Sequence, residues 1–560
     1  MPRSKQEKLS LIQVILSDHE AYWQEKSGTL RRYRDAYRTQ FYRDDRLVDG
    51  QLRVETADSF AYIEGYMSSL FSKSPAVEVE SAYAGQEAKA TTRTVVNSFL
   101  YDKRNPIENA SRMALIYPMA FLKLAPQESD DVLNRVSIRA CEPWTVIVDR
   151  EASCWDDQRY VGHVYWISGA SAKEKFGAKD FKFVNKIEYF DGQNPVTALN
   201  QSPDSLPSDL KYIKVVEFYD LGEDKVYYWS PQYSDGNKLI DEDNIPVRTY
   251  DDQPLPGIAP LYYSRIPDSP LEGYSAMSRV YDQFFEKNEV RTFLANAIRR
   301  DSRQYLYKQG IVDEDELAKI TAGVDGAMIG VETEGSLDSV IRAIPVAPMT
   351  TNFDRYMGMI ESDIQRGSSM APFTRGEATR STATEVAVMA AYSASEIGRL
   401  ARERDFAIEK VSDIYIRMLS LLLDDDEKAV ILVDGRPEVV QPEDFDYKFK
   451  FAAVDQAATP MSTALRNQEF INLIPVLQGM GVEAEKIRDH LIKVFSLPEE
   501  FLSENDAPPE PPPEAAGAGG AGLGALAGLG AAPGPTGLSE AEQIAADVEG
   551  RQIDPGVPLP

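Results

Sequence analysis

TATEVAVMAAYSASEIGRLARERDFAIEKVSDIYIRMLSLLL, residues 382–423, decides how the rest of the chain is read. It opens on Thr382-Ala383-Thr384-Glu385, the pattern of a capping box. There a Thr hydroxyl accepts from the amide three residues on, and a Glu carboxylate accepts from the cap amide. No proline follows, and only one glycine, Gly398. Apolar or small residues recur at 386, 390, 393, 397, 400, 407, 411, 414, 418 and 421, at helical spacing, and Arg404 alone interrupts the stripe. Some 40 residues at ~1.5 Å each make a rod of roughly 60 Å. Helices of ordinary domains average about 11–12 residues. A rod this long reads as a strut in an assembly, with a long core helix of a large enzyme as the alternative. The segment before it, GSSMAPFTRGEATRS (367–381), carries Gly367, Pro372 and Gly376 and reads as a loop.

Composition limits what the chain can do. Its 560 residues are enough for several domains and a large core, and 60 Lys and Arg against 89 Asp and Glu give a formal net charge of −29. Such a chain repels nucleic acid as a whole, so any contact with DNA is local or weak. Two cysteines, Cys141 and Cys154, make no disulfide framework and fit a reducing compartment. The N-terminal MPRSKQEKLS lacks the apolar core of a signal peptide, and the Gly/Ala run 515–534 reads as a linker rather than a membrane span.

Working outward, the first 250 residues read as α+β. Helices are expected at 4–46, 58–72, 88–101 and 107–117. The β-rich runs FLKLAP, VSIRACEP, WTVIVD, YVGHVYWIS, KVVEFYDL and KVYYWS follow, with one short helix near 172–176, as a mostly antiparallel sheet region. A helix of about 28 residues is expected over 273–300. After it come strands at 303–308, 327–331 and 340–346, a short helix at 313–321, and a helix at 351–366. Beyond the long helix, strands are expected at 430–433 and 449–451 and helices at 463–474 and 483–495. After Asn505 the Pro/Gly/Ala composition cannot bury a core, apart from a short helix near 539–548.

The search for chemistry yields little. His19, His163 and His490 stand in distant segments, and His163 reads as a structural residue of a strand. Gly517, Gly519 and Gly522 match a dinucleotide-loop spacing without a preceding strand. Asp313, Glu314, Asp315 and Glu316 lack the ligand and glycine spacing of a calcium loop and read as an acidic helix start. Cys141 and Cys154 flank a presumed hairpin with no partner histidine in the sequence pattern. No catalytic residue, metal site or cofactor is expected.

The order of elements does carry a resemblance. An α+β body leads to a helix, a small insert, a second helix, a Gly-containing loop, a very long helix and a C-terminal helical part. Together with PWTVIVD (143–149), VEFYD (216–220), the entry at 273–288 and GEATRSTATEV (376–386), this resembles the portal, or head-to-tail connector, proteins of tailed bacteriophages, of the short-tailed type, over about residues 5–500. The resemblance implies a wing at 1–259, a first stem helix at 260–301, a clip at 302–347, a second stem helix at 348–366 and a channel-facing tunnel loop at 367–381. It further implies the wing's long helix and strands at 382–458, a crown at 459–506, and outside the pattern a tail at 507–560. It implies a twelve-membered ring at one capsid vertex of the virion, assembled in the host cytoplasm, through which double-stranded DNA is packaged and ejected. Implied partners are other copies of the chain, the major capsid and scaffolding proteins, the terminase motor and a tail adaptor, with no membrane. Arg299, Arg300, Arg303, Arg366, Arg375 and Arg380 would then supply brief phosphate contacts, or pair with carboxylates between subunits. The clip acids Asp313, Glu314, Asp315, Glu316, Glu332 and Glu334 would supply the docking surface. The alternatives are a metal-dependent enzyme of virion or cell, and a scaffold or adaptor without a pore.

Overall fold

The computed structural model describes residues 3–453 apart from 43–51, 73, 82–89, 130, 132–133, 178–180, 185–210, 267–268, 302–304, 308–340, 344–351, 369–382, 424–428, 434–435, 441 and 446–447. The chain divides into units Met1–Leu473 and Ile474–Pro560, and every described residue lies in the first. The expected helices at 463–474, 483–495 and 539–548 and the tail lie outside the described residues.

The first unit is α+β. Helix α1 (Lys5–Tyr37) starts on a capping box: Glu7 N–H donates to Ser4 Oγ (3.3 Å), and Ser4 N–H donates to the Glu7 carboxylate (2.7 Å). It stops nine residues short of the expected end at 46. Its cap is Arg38, and Thr39 takes φ 57°, a left-handed turn that a glycine would have announced. Helices α2 (Asp58–Leu70), α3 (Ala90–Asp102) and α4 (Arg104–Ile116) follow. The last begins earlier than expected because Pro106 sits in its first turn, where a missing N–H costs nothing.

Three strands form one antiparallel sheet, in the order β3 (Val136–Cys141), β2 (Ala120–Pro126), β9 (Ile258–Leu261). Five more form a meander in chain order: β4 (Val146–Val148), β5 (Tyr160–Ser168), β6 (Tyr212–Asp220), β7 (Lys225–Trp229) and β8 (Leu239–Asn244). The central strand β6 is apolar on both faces, and the packing shows why. Val216 and Phe218 face α1 through Ile12 and Leu16, whereas Tyr219 packs with Val161 and Val226 against Met119, Phe121 and Cys141 of the three-stranded layer. Helix α5 (Gly169–Phe176) closes the end of that second face with Phe176 against Ile213 and Val215.

The expected helix over 273–300 is corrected at its start. Residues Ser269–Gly273 form strand β11, paired with β10 (Arg265–Ile266), and helix α6 runs only from Tyr281 to Asp301. Gly273 is a strand residue pressed onto other backbone: a Cβ there would stand 1.7 Å from the Pro118 carbonyl oxygen. Strands β12 (Tyr305–Tyr307) and β13 (Ile341–Ala343) pair antiparallel, and α7 (Asn352–Ser368) follows.

The long helix α8 spans Ala383–Leu422, so the 40-residue rod read from the sequence is present. Its stripe enters the main core, where Ile397, Leu400, Ala407, Val411, Ile414 and Met418 are all buried among residues of α2, α3, β2 and β9. Tyr415 stacks on Phe99 of α3 at 3.8 Å between centroids. Arg404 does not break the stripe: it is 3 % exposed. Its guanidinium donates to the Leu70 carbonyl and to Asp405, and lies 5.7 Å from the Phe71 ring. A helix ends with carbonyls that lack partners, so this buried arginine supplies the cap for the C-terminus of α2. Strands β14 (Ala429–Val433) and β15 (Arg436–Val440) form a hairpin, and β16 (Phe449–Ala453) pairs antiparallel with β1 (Val77–Ser81), with Val77, Phe449 and Phe451 in the main core.

Candidate functional site

α6 and α7 run antiparallel. Phe293 stacks on Phe353 with centroids 5.9 Å apart, Tyr356 donates its hydroxyl to Glu286, and Lys287 Nζ stands 3.4 Å from Glu361. At the far end the chain passes into β12 and returns through β13, so the insert 308–340 is enclosed by a strand pair on a helix hairpin. At the near end Gly367 lies against the start of α6, where a Cβ would stand 2.7 Å from Val280 Cγ1. Phe293, Ile298, Tyr356 and Met359 of this hairpin are between 44 % and 62 % exposed. Exposed large apolar side chains are unremarkable singly, but four on one helix pair leave an exposed apolar seam on the hairpin, even though Phe293 stacks on Phe353 and Tyr356 bonds Glu286 within the pair.

A polar joint fixes the root of the hairpin to the long helix. Arg279, two residues before α6, donates to Glu396 of α8 (3.1 Å) and to Ser264 Oγ (2.7 Å). Arg399, one helical turn after Glu396, donates to both oxygens of that carboxylate (2.9 Å each) and to the Tyr263 carbonyl (2.7 Å). Although burial alone would raise it, the two guanidinium groups hold the Glu396 carboxyl below its ordinary range. The expected loop 367–381 is corrected at its start, because α7 continues through Gly367 to Ser368, and the remainder of it lies outside the described residues.

Of the arginines singled out in the sequence, Arg366 is exposed and stands 3.5 Å from Asp363 in its own helix, a same-chain pair one turn apart. Arg299 and Arg300 fall in the last turns of α6, with side chains outside the described residues. Arg303, Arg375 and Arg380 lie outside the described residues, as do Asp313, Glu314, Asp315, Glu316, Glu332 and Glu334.

The sequence missed a buried polar cluster between the two sheets. Lys123 of β2 donates to Glu217 of β6 (2.7 Å) and lies 3.2 Å from His163 Nδ1 of β5, while His163 Nε2 lies 3.5 Å from Cys141 Sγ of β3. Cys141 thus has the histidine neighbour that its sequence surroundings did not show, because the two meet only through sheet packing. The donor order is nevertheless the reverse of a nucleophile pair. An ammonium can only donate, so Nδ1 is the accepting nitrogen and Nε2 carries the proton, which it directs at the thiol sulfur. The Cys141 thiol in turn points at the Arg139 carbonyl (3.8 Å). Burial pushes the thiol up to about 11 and the imidazole, beside the Lys123 ammonium, down to about 3. A thiolate needs the opposite shifts. Glu217 is held down to about 2 by Lys123 and Lys175 against its burial, and accepts from the Tyr219 hydroxyl. The cluster is a matched internal ion pair with every member engaged, a structural bolt between sheets.

Among the described residues no three His, Cys, Asp or Glu side chains are grouped to hold a metal ion, and no helix is long and apolar enough to cross a membrane. No protein-family model matches the chain, and no curated protein shows significant similarity to it.

Proposed function

We propose that this chain is the subunit of a ring-forming portal, a structural connector through which DNA passes and on which a packaging motor and a tail adaptor dock. The observation that carries the reading is the exposed apolar seam of the α6–α7 hairpin, Phe293, Ile298, Tyr356 and Met359, in a chain of net charge −29. A seam of that kind on a strongly acidic chain calls for a repeated neighbour, and a head-to-tail contact that closes gives a ring. The order of parts supports the reading too: helix, strand-enclosed insert, helix, short connection, 40-residue helix. In a ring, the hairpin faces would line the axis, the insert 308–340 would present the docking end, and the loop 367–381 would lie at the inner wall. An acidic wall lets a polyanion slide, with a few arginines giving brief contacts.

Light scattering on the purified full chain tests this. Twelve copies of 62.5 kDa weigh about 750 kDa. A ring mass is expected for the native chain, and its loss for the pair Phe293→Ser with Met359→Ser, with far-ultraviolet dichroism unchanged. A native chain that stays monomeric or dimeric, also when mixed with capsid and scaffolding proteins, would overturn the proposal.

A further inference from the structure

One face of α6 is built to hold an extended chain. Asn288, Thr292 and Asn296 stand four residues apart on the helix, and each bonds alternate residues of the segment 52–56 that leads into α2. Asn296 accepts from Leu52 N–H (2.9 Å) and donates to the Leu52 carbonyl (2.9 Å). Thr292 Oγ1 accepts from Val54 N–H (2.9 Å) and reaches the Val54 carbonyl (3.5 Å). Asn288 accepts from Thr56 N–H (3.1 Å). The spacings agree: four helical residues rise ~6.0 Å, and two extended residues advance ~6.6 Å. The third rung is incomplete. The Asn288 amide nitrogen is buried with no hydrogen-bond partner, because the chain turns into α2 at Ala57 instead of staying extended.

The geometry points to residues 52–56 as a releasable strap that locks α6 to the α2 layer and, when released, lets the α6–α7 hairpin tilt about its root. The strap is held by polar rungs more than by apolar burial. Leu52 is exposed, Arg53 lies over the Tyr42 ring (4.5 Å), and Glu55 is exposed and accepts from Tyr42 N–H (3.1 Å). The Leu52 rung is exposed and the Val54 and Thr56 rungs are half-buried, so the strap is an element of lower stability than the well-packed root, protected while its rungs hold. The root, by contrast, is fixed by buried Val280 and Phe284 and by Lys287 to Asp58 (3.0 Å). Beyond Asn288, Thr292 and Asn296 of α6 make their hydrogen bonds to the segment that leads into α2 through the strap residues Leu52 and Val54. The fixed end of the strap is at α2, and release begins at Leu52.

Amide hydrogen exchange on the full chain tests this whether or not the protein assembles into a ring. In the native protein the amides of Leu52, Val54 and Thr56 are expected to be protected. Thr292→Val with Asn296→Leu removes two rungs and keeps bulk. It should raise exchange at Leu52 and Val54 at least tenfold and raise exchange across residues 289–301, with α8 amides unchanged. Thr292→Ser alone keeps the hydroxyl and should keep the protection. Unprotected strap amides in the native protein, or a double variant that frees 52–56 while 289–301 exchange as before, would overturn the proposal. So would Thr292→Ser releasing the strap as fully as the double variant does.

Discussion

His19 and His163 show how single residues set a pH limit on this fold. His19 donates Nε2–H to the Trp144 carbonyl (2.9 Å), and burial pushes its ring down to about 4. His163 lies near 3 for the reasons given above. Both lie below the ~6.5 of an unfolded histidine. The unfolded chain therefore takes up protons that the folded chain refuses, so the stability is fully present above about pH 6.5 and is lost as pH falls toward 4 and below. Two such groups should lower unfolding free energy by about 4 kcal/mol between pH 7 and pH 5. Glu217, depressed to about 2, adds a further loss only below about pH 4. Urea midpoints at the two pH values measure the effect, and His163→Gln should flatten roughly half of it. An unchanged midpoint would mean that both rings are already solvated. The two residues were visible in the sequence, but their surroundings were not. His163 reads there as a plain strand residue, and Arg404 as a flaw in a stripe, because the Leu70 carbonyl that Arg404 caps is 334 residues away.

Elements were more legible than residues where pattern alone decides them. The 40 residues of α8 carry their period on the surface of the sequence, and β2 to β7 announce themselves by β-branched and aromatic runs. Strands β1, β8, β9, β10, β11 and β15 did not. They are short, or carry proline or acids, and exist because a partner strand is nearby rather than because of propensity. Gly273 is the sharpest case. It reads as a helix opening, yet the fold uses it where two backbones meet. Gly273→Ala should therefore cost several kcal/mol, about 3 or more, since the obstacle is backbone and has no rotamer to move. A melting curve that shifts by less than a few degrees would show that strand β11 can move away from Pro118. Gly257, whose Cβ would stand 2.7 Å from the Leu124 carbonyl oxygen, offers a milder comparison.

For the whole molecule, charge and the apolar seam pull assembly in opposite directions. Subunits that each carry −29 repel, and that repulsion is screened within about 10 Å at 0.1 M salt and about 3 Å at 1 M. Association through the α6–α7 seam is thus expected to strengthen as salt rises, read as a growing assembled fraction in sedimentation. Assemblies that dissociate with salt would place ion pairs, not Phe293 and Met359, at the contact. Composition gave the charge from the sequence alone, whereas of the closing pair of the unit, β1 with β16, only β16 reads as a strand there and its partner does not show. That pair also has a temporal meaning. Ser81 has no strand partner until Phe449 leaves the ribosome. At 5–20 residues per second the wait is on the order of half a minute. Through that interval the newborn helical layer carries an open strand edge, so the chain is most exposed to mispairing and to holding factors during its own synthesis, before any second copy is met.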